Sequence, residues 1–479
     1  MKLSVIGAGY VGLTTAACLS QIGHDVFCSE SDLDKLGKLQ NGVLPLFEPN
    51  LEAVVKAARE NGRLRFGSTE EAIAWGEAIF ICVGTPPLAN GDADLSAIEA
   101  VARMIAKRAT GYRLIIEKST VPVQTGAQLR RHLSVHSTNG LCYDVASNPE
   151  FLREGSSVED FLHPDRIVIG VDSPRAADLL REIYQPILDQ KFACPVHEGC
   201  GKRKEPVFLI TDTGSAELIK HASNSFLAMK ISFINMVANL CEAVGADVTK
   251  VAQGMGLDPR IGPAFLSPGI GFGGFCFPKD VQAFIRIAEK SGCDFSLLKE
   301  VEKINQHRVE RFVETIRREL WVVRGKKIAL WGLAFKPNTD DVRFAPAIAL
   351  AKALLAEGTS VRAYDPQAMA KAKADISQIT YCADAYEAAL GADAILIVTE
   401  WEEFRQVDWN RLLSLVEQPL VIDGRNVFDP EKISGQGFRY VSVGRSDASP
   451  SRPNLGAQPQ ASLPQSSFQT EKDVQPVAL

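Results

Sequence analysis

The chain has 479 residues, enough to bury more than one hydrophobic core, and its 46% hydrophobic and 23% charged residues are typical of a soluble globular protein. A formal net charge of −6 and a pI near 5.8 disfavour a general nucleic-acid-binding protein and a protein that binds acidic membranes. No run of about 18 uninterrupted apolar residues occurs, so we expect no membrane partner and a cytoplasmic location.

The N-terminal segment has the pattern of a dinucleotide-binding unit. A predicted strand over residues 2–6 runs into Gly7-Ala-Gly9-Tyr-Val-Gly12, a helix follows over 13–22, and a second strand over 25–29 ends at Glu30. Glycines at this spacing let the backbone approach a pyrophosphate at the helix N-terminus, while the acidic side chain takes the ribose hydroxyls. Because the Glu30 carboxylate would repel a 2′-phosphate, the pattern favours NAD over NADP. A tight turn without a ligand is the alternative.

Further predicted strands end in turn residues or polar residues. Residues 78–83 lead into Gly-Thr-Pro-Pro, and residues 113–117 lead into Lys-Ser-Thr-Val-Pro. The carboxyl ends of strands in an open parallel sheet are where ligands bind. A short strand over 143–146 precedes a polar segment with two carboxylates, Glu150 and Glu154, whose spacing alone assigns no acid or base role.

The pattern becomes helical from about residue 212 to residue 320, with an apolar stripe that predicts one long helix beginning near Ser215. We expect this helix to form a spine and a dimer surface. Strand and helix patterns then alternate again, and Gly-Thr-Ser-Val-Arg in the second half echoes Gly-His-Asp-Val-Phe in the first. The predicted strands of the second half cover residues 327–331, 360–364, 394–398 and 420–422.

The predicted fold class is α/β, with two Rossmann-like doubly wound domains joined by a central long helix and a helical domain. The second Rossmann-like domain keeps one glycine in Trp-Gly-Leu-Ala-Phe-Lys, so we expect it to hold a mononucleotide rather than a second dinucleotide. The chain then becomes rich in Ser, Pro, Gln and Ala, which predicts a disordered tail. The predicted boundaries are 1–211 for the NAD-binding domain, 212–320 for the helical dimerisation domain, 321–445 for the C-terminal nucleotide-binding domain and 446–479 for the tail.

Cys276 is the candidate nucleophile. Pro278 predicts a helix beginning near residue 277, because proline is favoured in the first helical turn. The helix dipole and Lys279 would then favour the thiolate. A thiol paired with a redox cofactor suggests an enzyme that oxidises an alcohol past the aldehyde, since reaching the acid requires a covalent adduct that loses a second hydride. A buried structural cysteine is the alternative.

Three polar residues accompany this cysteine. Lys220 and Asn224 lie four residues apart on the predicted central helix and so share a face. A cation and an amide donor suit an oxyanion, although such a pair also suits a solvated helix face. Asp280, four residues after Cys276, suits alignment of a water or acceptance of a proton, and equally suits a first-turn acid that stabilises the helix dipole.

The segment Cys194-Pro-Val-His197-Glu-Gly-Cys200 contains side chains that bind metals. The ten cysteines are otherwise scattered, which indicates reduced thiols rather than a disulfide framework. Structural zinc needs a closed set of four ligands, and no fourth ligand is evident beside these three. We therefore predict no metal site.

Ten runs in the sequence occur in an order that one enzyme family shares. They are GAGYVG, FEPNL, VGTP, KSTVP, SNPEFLREG, ELIKHASNSFLAMKISFIN, DPRIG, GFGGFCFPKD, WGLAFKPNTDDVR and DGRN. On these runs the chain resembles the UDP-glucose/GDP-mannose dehydrogenase family over residues 1 to 430. The resemblance implies oxidation of UDP-glucose at C6 to UDP-glucuronate, through two hydride transfers to two NAD+ and a cysteine thiohemiacetal and thioester.

The resemblance also implies residue roles and a homodimer or higher homo-oligomer. The implied catalytic residues are Cys276, Lys220, Asn224, Asp280, Glu150 and Thr120. The implied NAD contacts are Gly7, Gly9, Tyr10, Val11, Gly12, Glu30, Lys35, Thr85, Ser119, Glu154 and Arg343. The implied substrate contacts are Glu150, Phe151, Leu152, Glu154, Lys220, Asn224, Phe272, Gly273, Gly274, Lys336 and Arg260, the last reaching the sugar nucleotide of the partner subunit.

Three alternatives stay open at this point. The same chemistry would act on GDP-mannose or on a UDP-N-acetylhexosamine. A two-electron 3-hydroxyacid dehydrogenase has a similar plan but needs no thiol. A nucleotide-sugar sensor would bind NAD without turnover. Phe275, where the family usually has a small residue, leaves the shape of the pocket open as well.

Overall fold

The computed structural model describes residues 1–137, 140–197, 199–200 and 203–445 of the chain. The tail predicted to be disordered, residues 446–479, lies outside the described residues. The predicted α/β class is confirmed, because one mainly parallel sheet precedes a helical segment and a second, wholly parallel sheet follows it.

The first sheet contains eight strands: β1 (Lys2–Ile6), β2 (Asp25–Ser29), β3 (Leu64–Gly67), β4 (Ala78–Ile81), β5 (Tyr112–Glu117), β6 (Cys142–Ser147), β7 (Arg166–Gly170) and β8 (Val207–Thr211). Their spatial order is 3-2-1-4-5-6-7-8, and neighbouring strands are parallel except for β6 and β7. The order reverses between β1 and β4, so a ligand crevice is expected beyond their carboxyl ends. The accompanying helices are α1 (Tyr10–Gln21), α2 (Leu33–Gln40), α3 (Leu51–Glu60), α4 (Thr69–Trp75), α5 (Ser96–Arg108), α6 (Thr125–His136), α7 (Ser157–Leu162) and α8 (Pro174–Leu188).

The central strands of this sheet are buried on both faces. All four residues of β4, Ala-Ile-Phe-Ile, are buried. Phe80 packs in the core on one face of the sheet, while Ile79 and Ile81 pack in the core on the other face. Uninterrupted burial with side chains alternating between two cores is expected for a parallel strand that helices cover on both sides.

The middle of the chain contains four helices: α9 (Thr213–Val244), α10 (Val248–Gly256), α11 (Cys276–Lys290) and α12 (Ser296–Leu320). The 32-residue α9 begins where the Asp212 side chain accepts a hydrogen bond from the Ser215 backbone N–H at 2.8 Å, and it ends at Gly245 in the left-handed conformation. By length and composition α9 is apolar enough to cross a membrane. It packs against α11 and α12 and buries Lys220 and Asn235, as the core helix of a folded protein does.

The second sheet contains six parallel strands: β9 (Lys327–Trp331), β10 (Ser360–Tyr364), β11 (Thr380–Tyr381), β12 (Ala394–Ile397), β13 (Leu420–Asp423) and β14 (Arg439–Ser442). Their spatial order is 11-10-9-12-13-14, the same winding as the first six strands of the first sheet. The accompanying helices are α13 (Pro346–Ala356), α14 (Met369–Asp375), α15 (Ala385–Ala389), α16 (Glu402–Arg405), α17 (Trp409–Leu415) and α18 (Pro430–Gly435).

Candidate active site

The glycine-rich turn after β1 is shaped to admit a ligand. Gly7 has a φ of +101°, and a Cβ on it would lie 2.7 Å from the Cys82 carbonyl oxygen; a Cβ on Gly12 would overlap the Gly7 carbonyl. A Cβ on Gly9 would meet no atom within 4 Å, so open space lies beside this residue. Two glycines are therefore required by close packing, and the third faces space that a ligand can fill.

The N-terminus of α1 fits a pyrophosphate. Tyr10 and Val11 begin the helix, no side chain caps it at Gly9, and its first turn carries no acidic residue. Backbone N–H groups and the positive end of the helix dipole are thus available to an anion. The residues present therefore suit the dinucleotide that the sequence predicts.

The ribose end of the predicted NAD site lies at the carboxyl end of β2. Glu30 Oε1 accepts hydrogen bonds from the backbone N–H groups of Ser31 at 2.7 Å and Asp32 at 3.0 Å, which fixes the carboxylate beside the glycine-rich turn. Lys35 on α2 lies in solvent, 4.0 Å from Asp32. The acidic group predicted to select NAD is accordingly held in place by backbone donors.

The strand tips predicted to contact ligands are tied to one another. The Thr85 hydroxyl donates to the Thr120 carbonyl at 2.8 Å, and the Ser119 hydroxyl donates to the Val83 carbonyl at 2.8 Å. These hydrogen bonds join the segments that follow β4 and β5. Both segments therefore line the crevice beside the glycine-rich turn.

A cavity of about 530 Å³ contains Cys276 at the first residue of α11. Most of the predicted catalytic set meets here or just behind its wall, because α9, α11 and the segment after β6 converge. The predicted site residues that line it are Glu150, Phe151, Leu152, Lys220, Asn224 and Cys276.

Two buried charge pairs, Lys220 with Glu150 and Lys279 with Asp280, lie in the region of Cys276. Lys220 Nζ lies 2.9 Å from Glu150 Oε1, and the two side chains are only 4% and 5% exposed. Asp280 is fully buried, and it accepts hydrogen bonds at 2.6 Å from the Asn224 amide and at 2.6 Å from Lys279 Nζ. Lys220 and Asn224 thus lie inside the protein, and the alternative of a solvated helix face is excluded.

The surroundings of Cys276 favour the neutral thiol over the thiolate. Burial raises the pKa of Cys276 to about 12, the Glu150 and Asp280 carboxylates add to this rise, and Lys220 opposes it. The sequence-based expectation of a thiolate favoured by Lys279 is therefore wrong, because Lys279 pairs with Asp280 instead. The cation that acts on the thiol is Lys220.

A second group of predicted residues joins the first sheet to the segment after β9. The Thr339 hydroxyl donates to Glu154 at 3.2 Å, and Arg343 lies 3.5 Å from Glu154 and 2.7 Å from Asp341. Burial, then the Asp341 carboxylate, raises the pKa of Glu154 to about 8. Lys336 contributes a further positive charge, which acts on Glu154 in the opposite direction.

Tyr10 extends this junction to the glycine-rich turn. Its hydroxyl donates to Asp340 and accepts from Lys371 Nζ at 3.1 Å, and the Arg343 guanidinium lies 5.6 Å from the centre of its ring. Sequence reasoning missed Asp340 and Lys371, which belong to the second half of the chain. The two adjacent acidic residues in the run Thr-Asp-Asp-Val-Arg could have indicated Asp340.

Six predicted substrate contacts lie outside the cavity that holds Cys276: Glu154 and Lys336, placed above, and Arg260, Phe272, Gly273 and Gly274. Phe272 is buried and packs edge-on against Phe277. Gly273 and Gly274 lie against the segment after β9, where a Cβ on Gly274 would lie 2.7 Å from the Phe335 ring. The Arg260 side chain is 87% exposed and pairs with Asp258 at 2.6 Å. Its predicted reach into a partner subunit stays a prediction.

Lys118 is a cavity residue that sequence reasoning did not assign. It is buried, its ammonium donates to the Asn148 side chain at 3.2 Å, and burial lowers its pKa to about 8. The Tyr184 hydroxyl donates to the same Asn148 oxygen at 2.6 Å. Lys118 directly follows β5 and precedes Ser119, and this position at a strand end could have indicated that it lines a ligand site.

Most of the chain is similar in sequence to known proteins. Three domain models of the UDP-glucose/GDP-mannose dehydrogenase family match: the NAD binding domain at residues 1–188, the central domain at 214–307 and the UDP binding domain at 329–430. The UDP-glucose 6-dehydrogenase of Rhizobium meliloti is 44% identical over 453 residues, covering 93% of this chain and 100% of the relative. The UDP-glucose 6-dehydrogenase TuaD of Bacillus subtilis is 43% identical over 446 residues, covering 93% of each.

Solved structures of nucleotide-sugar dehydrogenases also align with most of the chain. The structure of a UDP-glucose dehydrogenase from Pyrobaculum islandicum aligns with a TM-score of 0.83 at 37% identity, covering 93% of this chain and 98% of that one. A UDP-D-ManNAc dehydrogenase from Pyrococcus horikoshii aligns with a TM-score of 0.80 at 27% identity, covering 94% of this chain and 100% of that one.

Proposed function

The chain belongs to the UDP-glucose/GDP-mannose dehydrogenase family, and from this premise we propose that it oxidises UDP-glucose at C6 to UDP-glucuronate with NAD+. The observation that carries the proposal is the position of Cys276 in a cavity that Lys220 and Asn224 also line. A simple alcohol dehydrogenase needs no thiol in its pocket, because a single hydride transfer ends at a carbonyl.

The overall reaction consumes one primary alcohol, two NAD+ and one water, and it yields one carboxylate, two NADH and three protons. Bound NAD+ supplies the hydride acceptor for each of the two oxidations. The tasks left to the protein are to hold C6 beside the Cys276 sulfur, to stabilise charge on the C6 oxygen, and to move protons and one water.

Charge on the C6 oxygen is the task we assign to Lys220 and Asn224. The Lys220 ammonium and the Asn224 amide are donors on one face of α9, and both are buried where water does not screen them. Asp280 accepts a hydrogen bond from the Asn224 amide, which fixes the orientation of that amide. This arrangement supports a preorganised oxyanion site.

The covalent step begins when the Cys276 sulfur bonds to the carbonyl carbon of the C6 aldehyde. The thiol loses its proton as the bond forms, and the aldehyde oxygen gains one or is held as an oxyanion by Lys220. Removal of hydride from carbon and of a proton from the hydroxyl of this thiohemiacetal leaves a thioester, and water then breaks the C–S bond to give the carboxylate and return the thiol. We assign the transfers of protons and water to Glu150, Asp280 and Thr120. The charge of Glu150 acts directly on the thiol, which supports its place in this set.

The substrate is a nucleotide sugar. We propose that its nucleotide lies near the segment after β9, where Lys336 is the predicted substrate contact and Arg343 the predicted NAD contact. Both side chains act on the buried Glu154, which the resemblance assigns to both ligands. The cofactor and the substrate would therefore meet at this carboxylate.

We further propose that the protein is a homodimer or a higher homo-oligomer, with α9 in the contact between subunits. Large apolar side chains on α9 remain exposed: Phe226 by 58%, Phe233 by 53%, Leu240 by 61% and Val244 by 67%. An apolar stripe of this size on a helix marks a surface that another protein covers. A second copy of the chain is the partner that the family resemblance predicts.

The proposed substrate is tested by turnover on a panel of nucleotide sugars with excess NAD+. UDP-glucose is expected to give the highest kcat/KM, with GDP-mannose and UDP-N-acetylhexosamines at least about tenfold lower, since one lost polar contact is worth about that factor. Turnover confined to GDP-mannose or to a UDP-N-acetylhexosamine would refute the assignment of the substrate. Binding of NAD and UDP-glucose without any NADH would instead favour the sensor.

A further inference from the structure

Four metal-binding side chains that the proposed reaction does not use converge on one point. His163, Cys194, His197 and Cys200 each offer one ligand atom, and these four atoms all lie within 4.8 Å of one another. The sequence shows only three of them close together with no evident fourth ligand, and the structure places His163 beside them. His163 follows the last residue of α7, whereas the other three lie in the connection between α8 and β8.

Three nitrogen–sulfur distances in the cluster are close to the edge of a zinc tetrahedron. His163 Nε2 lies 3.2 Å from Cys194 Sγ and 3.6 Å from Cys200 Sγ, and His197 Nδ1 lies 3.5 Å from Cys194 Sγ. A tetrahedral zinc with Zn–S of about 2.3 Å and Zn–N of about 2.0 Å places a sulfur and a nitrogen about 3.5 Å apart. One imidazole nitrogen that faces two sulfurs is better explained by a shared ion than by a single N–H···S hydrogen bond.

The surroundings of His197 supply the usual support of a metal-bound imidazole. Its other ring nitrogen, Nε2, lies 3.2 Å from Glu159 Oε1 on α7. Arg203 lies 3.1 Å from the same carboxylate oxygen and so holds the carboxylate in place. A histidine that binds metal through one nitrogen typically donates a hydrogen bond from the other to a carboxylate, which fixes the tautomer and the ring orientation.

We propose that His163, Cys194, His197 and Cys200 bind one Zn²⁺ in a structural site. Four protein ligands fill the tetrahedral shell and leave no open position for water or substrate, as in structural rather than catalytic zinc sites. Binding to two thiols and two neutral imidazoles releases two protons and leaves the Zn²⁺ charge balanced by two thiolates. No oxidation or reduction is involved, and the proposal is independent of the proposed enzymatic activity.

The position of the site indicates what the ion would hold together. It would fasten the connection between α8 and β8 to the end of α7. His163, Glu159 and Asp160 also line the cavity that contains Cys276, and Asp160 pairs with Arg153 at 2.6 Å. The zinc would therefore stabilise part of the wall of that cavity.

The decisive experiment is metal analysis of the full-length protein, produced without a polyhistidine tag and purified under reducing conditions without chelator. Mass spectrometry of the elements is expected to find about one zinc per chain. The double substitution Cys194→Ser and Cys200→Ser is expected to reduce this to almost none. The matched control, Cys142→Ser with Cys293→Ser, removes two exposed cysteines outside the cluster and should keep the zinc.

A second measurement decides the question if the double variant fails to fold. Wild-type protein stripped of metal and titrated with Co²⁺ should develop the visible absorption of tetrahedral cobalt and a thiolate-to-cobalt charge-transfer band, both saturating at about one Co²⁺ per chain. The proposal is overturned if the reduced wild-type protein holds no zinc and gives no such bands. It is also overturned if the double variant keeps its zinc, or if peptide mapping finds a Cys194–Cys200 disulfide in the freshly purified protein.

Discussion

The substitution Lys220→Met should damage both stability and catalysis, for two separable reasons. The Lys220 ammonium and the Glu150 carboxylate lie 2.9 Å apart and are 4% and 5% exposed. Removing one partner of such a pair leaves a buried charge and costs about 3–5 kcal/mol of the free energy of unfolding. The Lys118 ammonium also attracts the Glu150 carboxylate and so stabilises it when Lys220 is removed. We therefore expect a decrease in the free energy of unfolding near the lower bound, about 3 kcal/mol.

Catalysis should fall independently of stability. A preorganised donor that stabilises an oxyanion is worth about 100- to 1000-fold in kcat, and methionine keeps the length of the side chain without its charge. Adding Glu150→Gln to Lys220→Met removes the stranded carboxylate, so the double variant should recover stability to within about 1 kcal/mol of the wild type. Its kcat should stay low, because the cation is still missing.

Urea unfolding followed by circular dichroism, together with kcat from NADH absorbance, measures both effects on the same preparations. Lys250→Met, which removes an exposed lysine from α10, is the matched control and should change stability by no more than about 0.5 kcal/mol. The charge-pair reasoning fails if the double variant is less stable than Lys220→Met alone. The oxyanion assignment fails if Lys220→Met keeps a kcat within a few-fold of the wild type.

Three further outcomes are expected. Burial raises the pKa of Cys276 to about 12 and only the thiolate reacts, so alkylation of this cysteine by iodoacetamide should accelerate about tenfold per pH unit from about pH 7 to about pH 10. Peptide mass spectrometry measures the rate of alkylation at Cys276, and a rate that levels off near neutral pH would contradict this expectation. Glu30→Ser removes the carboxylate that repels a 2′-phosphate, so the ratio of kcat/KM for NAD+ to that for NADP+ should fall at least about tenfold, and an unchanged ratio would show that Glu30 does not select the cofactor. Leu240→Glu places a charge on the exposed apolar face of α9, so sedimentation velocity should show a shift toward monomer, whereas an unaltered oligomer would locate the contact elsewhere.

Much of the fold was predictable because apolar strand runs alternate regularly with helices. The nine predicted strands all occur, and the described residues add five more: β3, β7, β8, β11 and β14. β8 is largely exposed and lacks the buried pattern that marks a central strand. β7 is buried over its last four residues, but it pairs antiparallel with β6 and so falls outside the regular parallel alternation. β11 has only two residues, too few for a periodic signal.

The candidate site was predictable where its residues are neighbours in sequence. The spacing of Lys220 and Asn224 on one helix indicated their shared face, and Pro278 indicated the start of α11 to within one residue. The partners of these residues come from distant segments, as the pairing of Lys220 with Glu150 shows. From its position in the sequence, Lys279 was predicted to stabilise the Cys276 thiolate, whereas in the folded protein its ammonium pairs with Asp280.

The metal-binding cluster follows the same rule. Cys194, His197 and Cys200 are visible as a short motif, but His163 lies on another element and reaches them only when α7 packs beside the connection after α8. No spacing rule along the chain could supply that fourth ligand.

The central claim is that this protein carries out two successive oxidations on one substrate through Cys276. The most direct test is the number of NADH molecules formed per UDP-glucose, measured with limiting UDP-glucose, excess NAD+ and complete consumption of the sugar nucleotide. We expect two NADH and one UDP-glucuronate for each UDP-glucose consumed. A ratio of one, with the aldehyde as the product, would contradict it and would remove the role assigned to the thiol.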